Sequence, residues 1–259
     1  MRDLADPIID LRSVSKQFAL QGQSIEALRD ANLRVRSGEF VCLIGASGCG
    51  KSTLLRIVAG FETTTRGQVL MWNAPITGPG PERGMVFQDY GLFPWLTVRG
   101  NIGFGPSSRG RPAQEVKETV ERFITLVGLQ RFAEAYPHQL SGGMKQRVAI
   151  ARVLANNAEI VLMDEPFGAL DAMTRERLQY ELLEIWQRTR LTVLFVTHSI
   201  EEAIFLSDRI MVMSPGPGRI DSEFAVDLPR PRDVVTSDFN ELRRELAIKL
   251  HSHHSRKAA

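Results

Sequence analysis

The chain has 259 residues, 43% of them hydrophobic, and its 32 lysines and arginines against 30 aspartates and glutamates give a formal net charge of +2. That length allows a substantial core in one large domain or two small ones, and so balanced a charge implies no strongly basic face for nucleic acid. No apolar run approaches the roughly 20 residues that span a bilayer, and the first residues lack the apolar centre of a signal peptide. Cys42 and Cys49 have neither the spacing of a zinc site nor the context of a disulfide, so reduced thiols are expected.

In chain order, residues 8–18 and 25–35 alternate apolar and polar side chains, as half-exposed antiparallel strands do. Residues 40–44 are instead a continuous apolar run, the pattern of a strand buried on both faces. It leads into Gly45-Ala46-Ser47-Gly48-Cys49-Gly50-Lys51-Ser52-Thr53, and residues 53–59 then read as helix. A buried strand ending in such a turn aims successive backbone N–H groups at an anion, and the positive end of the following helix adds favourable field. Lys51 supplies a mobile charge for the β- and γ-phosphates, and the Ser52 hydroxyl is placed to ligate Mg²⁺. The spacing therefore implies an ATPase or GTPase.

Residues 67–72 alternate again, and 113–127 carry Val116, Val120, Phe123 and Val127 at helical spacing. Between them, Leu92-Phe93-Pro94-Trp95-Leu96 holds a proline unsuited to a central strand, so a loop-borne apolar cluster is expected, with core packing the alternative for Phe93. Ser141, Gly142 and Gly143 at the start of a helical run form a second candidate anion site; a simple N-cap explains the serine but not the paired glycines. The apolar run 160–163 ends in Asp164 and Glu165. A parallel strand would deliver Asp164 to its C-terminal end as a water-mediated Mg²⁺ partner, with Glu165 as base or water-orienting group. Residues 171–188 read as an amphipathic helix capped by Asp171, 193–196 as a buried strand before His198, and 200–206 as a short helix. The Pro/Gly cluster at 214–218 is a turn, Pro229-Arg230-Pro231-Arg232 a break, and about 238–250 a last helix. The end from His251 onward reads as a frayed polar tail, in which His253 and His254 have no third metal ligand set by sequence.

Leu140-Ser141-Gly142-Gly143-Met144 resembles the LSGGQ signature of the ATP-binding cassette family, departing at Met144. Matches extend along almost the whole chain. Gln88 resembles the family's Q-loop glutamine, which senses Mg²⁺ and the γ-phosphate; Gly168-Ala169-Leu170-Asp171 is similar to its D-loop; and His198 resembles its switch histidine, followed here by Ser199 rather than aspartate. Phe18 sits where the family places a ring on adenine, although alone it would read as core.

The resemblance implies an α/β fold, a P-loop NTPase cassette with a parallel core sheet, an antiparallel β layer and a helical subdomain. The ATPase domain would span 1–230, with its catalytic core about 1–88 and 155–230 and the helical part about 89–154; a C-terminal helix and tail would follow at 231–259. It implies ATP and Mg²⁺ as cofactors and a homodimer in the ATP-bound state, in which Ser141, Gly142 and Gly143 cover the partner's γ-phosphate. Further implied partners are two transmembrane permease subunits, docked at Phe93 and Trp95, and indirectly a periplasmic or extracellular substrate-binding protein. The expected location is peripheral, on the cytoplasmic face of the inner membrane, without nucleic acid. A nucleic-acid ATPase of the superfamily would need coiled-coil insertions for which the interval from Gln88 to Ser141 is too short, and a translation-type protein would carry two cassettes. The runs at 78–84, 93–98 and 214–220 are similar to the nitrate, sulfonate and taurine importer subfamily, which also serves bicarbonate and pyrimidine precursors.

Overall fold

The computed structural model describes residues 6–20, 23–168 and 170–255, with the side chains of residues 20 and 252–255 outside the description. The chain forms two compact units, one of Met1–Pro79 with Leu191–Ala259 and the other Gly80–Arg190. Elements are numbered in chain order.

The first unit holds two β layers. β1 (Pro7–Leu20) pairs antiparallel with β2 (Gln23–Arg36) and with β4 (Arg66–Met71), which carries the short β5 (Ala74–Pro75). Alternation along β2 puts Leu28, Ala31, Leu33 and Val35 inward and the intervening residues toward solvent. The other layer has β3 (Phe40–Gly45) between β8 (Thr192–Val196) and β9 (Arg209–Ser214), both parallel to it, with β10 (Arg219–Ala225) antiparallel on β9. Every residue of β3 and β8 is buried, which explains their unbroken apolar sequence. Phe40 and Phe195 meet across this pair with ring centroids 5.8 Å apart. α1 (Lys51–Ala59), α6 (Ile200–Leu206) and α7 (Ser237–Ser255) complete the unit.

The second unit contains β6 (Arg83–Val86) parallel to β7 (Ile160–Asp164), with α2 (Val98–Ser108), α3 (Ala113–Leu126), α4 (Gly142–Ala155) and α5 (Ala172–Thr189). The inward stripe of α3 is Val120, Phe123 and Ile124, each side chain stabilising by roughly 1.5–3 kcal/mol on full burial. Asp171 caps α5 as expected, its Oδ1 accepting from the Thr174 N–H at 3.0 Å. That bond holds the Asp171 carboxyl below its ordinary range; the cap is complete above the carboxyl's unfolded-state pKa and is lost as pH falls through the lower folded value.

Two expectations change. α2 is not marked by the sequence pattern, because Gly100, Gly103, Gly105 and Pro106 hide its periodicity. α7 runs to Ser255, past the expected fraying at His251: polar residues do not end a helix without a glycine or proline. Among the described residues no helix is long and apolar enough to cross a membrane. Replacing Phe195 by Ala is expected to cost about 3–5 kcal/mol; urea denaturation checks this, and a loss below 1 kcal/mol would contradict its full burial against Phe40.

Candidate functional site: a phosphate cradle and two braced loops

In the first unit β3 ends at Gly45 and the chain turns through Ala46–Gly50 into α1. The N-cap Gly50 adopts φ 94°, with no side-chain cap and no acidic residue in the first turn, so the first turn of α1 supplies no anion to its N-terminal field. Lys51 is only 5% exposed. Its Nζ donates to the carbonyls of Gly45 at 2.8 Å and Ala46 at 3.1 Å and approaches Cys49 Sγ at 3.9 Å. Among the described residues the ammonium has carbonyl partners and no carboxylate, charge that a polyphosphate would compensate. Cys49 and Cys42 are buried free thiols whose pKa burial pushes up, so neither is a nucleophile.

The cradle is held from outside. A Cβ on Gly218 would lie 1.9 Å from the Cys49 carbonyl oxygen, so only glycine allows this approach. Gly218 is fixed there by its N–H to Ala27 O at 3.0 Å and by its carbonyl, which accepts from Arg29 N at 2.9 Å. The sequence marks 214–218 as a turn but not as a wall of the phosphate loop. Ala27 and Leu28 in turn lie against Gly50. Phe18 pairs with Ile25 two residues away. It is half-exposed with Lys16 Nζ 4.8 Å from its ring centre, so it is not core.

His198 emerges at the same sheet end. Leu43 pairs with Val196, and the Thr197 N–H donates to Leu43 O at 3.2 Å, so His198 and Gly45 leave neighbouring parallel strands together. His198 is exposed, and its flanks are anchored: Ser199 N donates to Thr197 Oγ1, Thr197 Oγ1 to Glu202 Oε2, and Glu202 N to Ser199 Oγ. Ser52 and Thr53 begin α1 beside Lys51.

In the second unit Asp164 ends β7 and Glu165 follows with φ 45°, a left-handed conformation that costs a non-glycine residue about 1–3 kcal/mol and clusters at functional sites. A Cβ on Gly168 would be 3.3 Å from Gln88 Nε2 and 3.7 Å from Glu165 Oε2, so Gln88 and Glu165 converge on this turn. Ala169 lies outside the described residues. Ser141 is the N-cap of α4, its Oγ accepting from Met144 N at 3.3 Å. Gly142 lies beside Leu170 and the Tyr90 hydroxyl, which brings the signature run, the turn before Asp171 and the segment after Gln88 together. Gly143 is buried, and a Cβ there would lie 2.8 Å from Leu178 Cδ2, so an added methyl would press on the Leu178 side chain of α5.

Residues 92–96 form a loop, as expected, with Trp95 69% exposed. Phe93 is half-exposed, its ring 5.6 Å from Trp95 and 4.5 Å from Phe104, with the Arg152 guanidinium 5.5 Å away. The Phe93 and Phe104 rings border a cavity of about 230 Å³ with Met85 and Val153. Two residues that the sequence did not single out shape the loop. Asn101 is fully buried: Oδ1 accepts from Phe93 N at 2.8 Å and Nδ2 donates to the carbonyls of Phe93, Leu96 and Thr97. Arg152 on α4 donates to the carbonyls of Gly91 and Tyr90.

The model of the family described as "ABC transporter" matches residues 28–168. The chain belongs to the ABC transporter family. A nitrate import ATP-binding protein of Synechocystis sp. is 46% identical to this cassette over 92% of the chain and 89% of that protein. A taurine import ATP-binding protein of Roseobacter denitrificans is 47% identical over 91% and 88%. Among solved structures, a dimeric ATP-binding cassette bound to ADP and phosphate after hydrolysis superposes with TM-score 0.72 at 33% identity, covering 85% of this chain and all of that one. The chain is thus an α/β ABC cassette and an ATPase.

Trp95→Glu, at an exposed site, should change stability by no more than about 0.5 kcal/mol. Asn101→Leu, which strands buried backbone groups, should cost about 1–3 kcal/mol. Urea melts of both variants check this, and the opposite order would contradict the placement of the loop.

Proposed function

We propose that this ATPase powers import of a small oxyanion or sulfonate, of the nitrate or taurine kind, with the substrate chosen by other subunits. The single observation behind the catalytic part is the buried, uncompensated Lys51 ammonium inside the backbone cradle. The names of the nitrate and taurine relatives support the cargo class. A pyrimidine precursor or bicarbonate is the second reading. It rests only on the wider subfamily.

In this reading Gly45, Ala46, Ser47, Gly48, Cys49, Gly50, Lys51, Ser52 and Thr53 hold the ATP phosphates and Phe18 the adenine. Ser52, Gln88 and, through water, Asp164 offer the hard oxygen donors that suit Mg²⁺. The ion would supply charge neutralisation on the phosphates. Glu165 orients the attacking water and takes its proton, and His198 contacts the γ-phosphate. Ser141 and Gly142, with Gly143 behind them, cover the partner's γ-phosphate in a homodimer, with Asp171 at the same face. Phe93 and Trp95 receive a helix of a transmembrane permease subunit, two of which bind the dimer. An exposed aromatic cluster beside a cavity is the anatomy of such a hot spot. The protein would then lie peripherally on the cytoplasmic face of the membrane, with a substrate-binding protein acting through the permease. Functionally the chain divides into a catalytic core at about 1–88 and 155–230, a helical subdomain at about 89–154, and the C-terminal helix and tail at 231–259.

Glu165→Gln should keep ATP affinity within a few-fold while hydrolysis falls about 10²–10⁴-fold; Lys51→Ala should lose both. Phosphate release and nucleotide titration check this pair. Hydrolysis by Glu165→Gln near the parent rate would remove Glu165 from its role.

The trans arrangement is tested at Ser141, because aspartate there still caps α4 while repelling phosphate. Ser141→Asp should bind ATP as a monomer but not hydrolyse it. Mixing it with Lys51→Ala should restore activity through the one intact site per mixed pair. No recovery in demonstrated mixed dimers would contradict the arrangement.

A further inference from the structure

The Pro229-Arg230-Pro231-Arg232 run is a break by sequence, yet its two arginines enclose the far end of α6. A helix leaves its last four carbonyls without partners of its own. Here the Ala203 carbonyl accepts from Ser207 N at 3.1 Å and Ser207 Oγ at 2.6 Å. The Ile204 and Phe205 carbonyls accept from Arg232 Nη1, and the Leu206 carbonyl from Arg230 Nη2 at 2.7 Å. Arg232 is 3% exposed and also donates to the carbonyls of Ser207 at 2.6 Å, Val226 at 2.8 Å and Leu228 at 3.1 Å. Burial, followed by the charge of Arg230, lowers its pKa to about 10, so it stays charged at neutral pH.

Two more contacts tie this clamp to the chemistry. Arg230 Nη1 donates to Asp208 Oδ1 at 2.7 Å, and Asp208 Oδ2 accepts from Phe40 N at 2.9 Å, the first residue of the strand that ends in the phosphate loop. At the near end of α6, Arg243 of α7 pairs with Glu201 at 2.9 Å, while Phe239 and Leu246 of α7 are buried. α6 has only seven residues, about 10 Å of helix, and it begins two residues after His198. So short an element moves as one piece, and fixing its C-terminal end fixes the Ser199 end.

We propose that Arg230 and Arg232 are positioning residues for His198: the strap between β10 and α7 sets α6, and with it the histidine, in register with β3 and the phosphate loop. This rests on the assignment of His198 to the γ-phosphate. Neither arginine touches nucleotide in this account; both act through backbone carbonyls.

The test measures kcat and KM for ATP, together with ADP affinity, in the full chain carrying Arg230→Gln, Arg232→Gln, Arg230→Lys or Arg232→Lys. Each variant is made in the parent and in a His198→Ala background. The Gln variants should lower kcat about 10- to 100-fold, as a displacement near 1 Å does. ADP affinity should stay within about twofold of the parent, and the Lys variants should recover part of the rate. In the His198→Ala background the Gln substitutions should cause no further fall, because the two effects pass through one residue. Parent kcat in both Gln variants would overturn the proposal. Equal falls in both backgrounds, or unfolding of both Gln variants by circular dichroism, would overturn it in favour of a purely structural role. If His198→Ala itself hydrolyses ATP at the parent rate, the assignment of His198 fails and the strap falls with it; if only the arginine variants are silent, the strap fails alone.

Discussion

A positive charge buried inside a loop of backbone is the constraint on which the first unit of this protein depends. Lys51 is enclosed by its own phosphate loop and bonded to the carbonyls of Gly45 and Ala46. Buried ammonium groups are costly unless paired, so the surroundings must hold the loop against relaxation. They do so from three directions. β3 fixes the entry, Ala27 and Leu28 press on Gly50, and Gly218 presses on the Cys49 carbonyl. In the proposed reading a polyphosphate held in the cradle supplies the counter-charge that the Gly45 and Ala46 carbonyls do not.

The second unit solves a different problem, that of holding three loops with little apolar burial of their own. Polar side chains do it. Asn101 places four bonds on the Phe93–Thr97 segment, Arg152 bonds the carbonyls just before it, and Asp171 and Ser141 cap the helices that follow their turns. Arg152 belongs to α4, whose first residues are the signature run, and bonds the Tyr90 and Gly91 carbonyls just before the aromatic loop. In the proposed reading this link would carry an effect of a helix docked at Phe93 and Trp95 to Ser141.

Much of this was legible in the sequence wherever one local pattern decides the structure. The buried β3, β8 and first four residues of β7 follow from unbroken apolar runs, the alternation of β2 from period two, and α6 and the Asp171 cap from standard start signals, whereas Ile8, Ile9, Asp10 and Leu11 of β1 are buried in a row against the expected alternation. The phosphate loop is legible because strand, glycines and lysine occur at fixed spacing. What was not legible depends on partners distant in the chain. Gly218 is small because of Cys49, and the Pro-Arg-Pro-Arg run caps a helix more than twenty residues before it. α2 was hidden because tertiary burial of Val98, Asn101 and Ile102 outweighs the poor helix propensity of three glycines and a proline.

The central claim is that Lys51 is held for the ligand and against the stability of the empty protein, and the measurement that meets it most directly is a urea melt of Lys51→Met with and without ATP. Methionine keeps the volume and removes the charge. Without nucleotide the variant should be as stable as the parent within about 1 kcal/mol, or more stable, since an uncompensated buried charge has gone. With ATP at 100 times its Kd the parent should gain about 2.7 kcal/mol and the variant almost nothing. A variant that loses several kcal/mol when empty yet keeps the full ATP-dependent gain would contradict the account, because Lys51 would then be a structural residue and not the counter-charge of the phosphates.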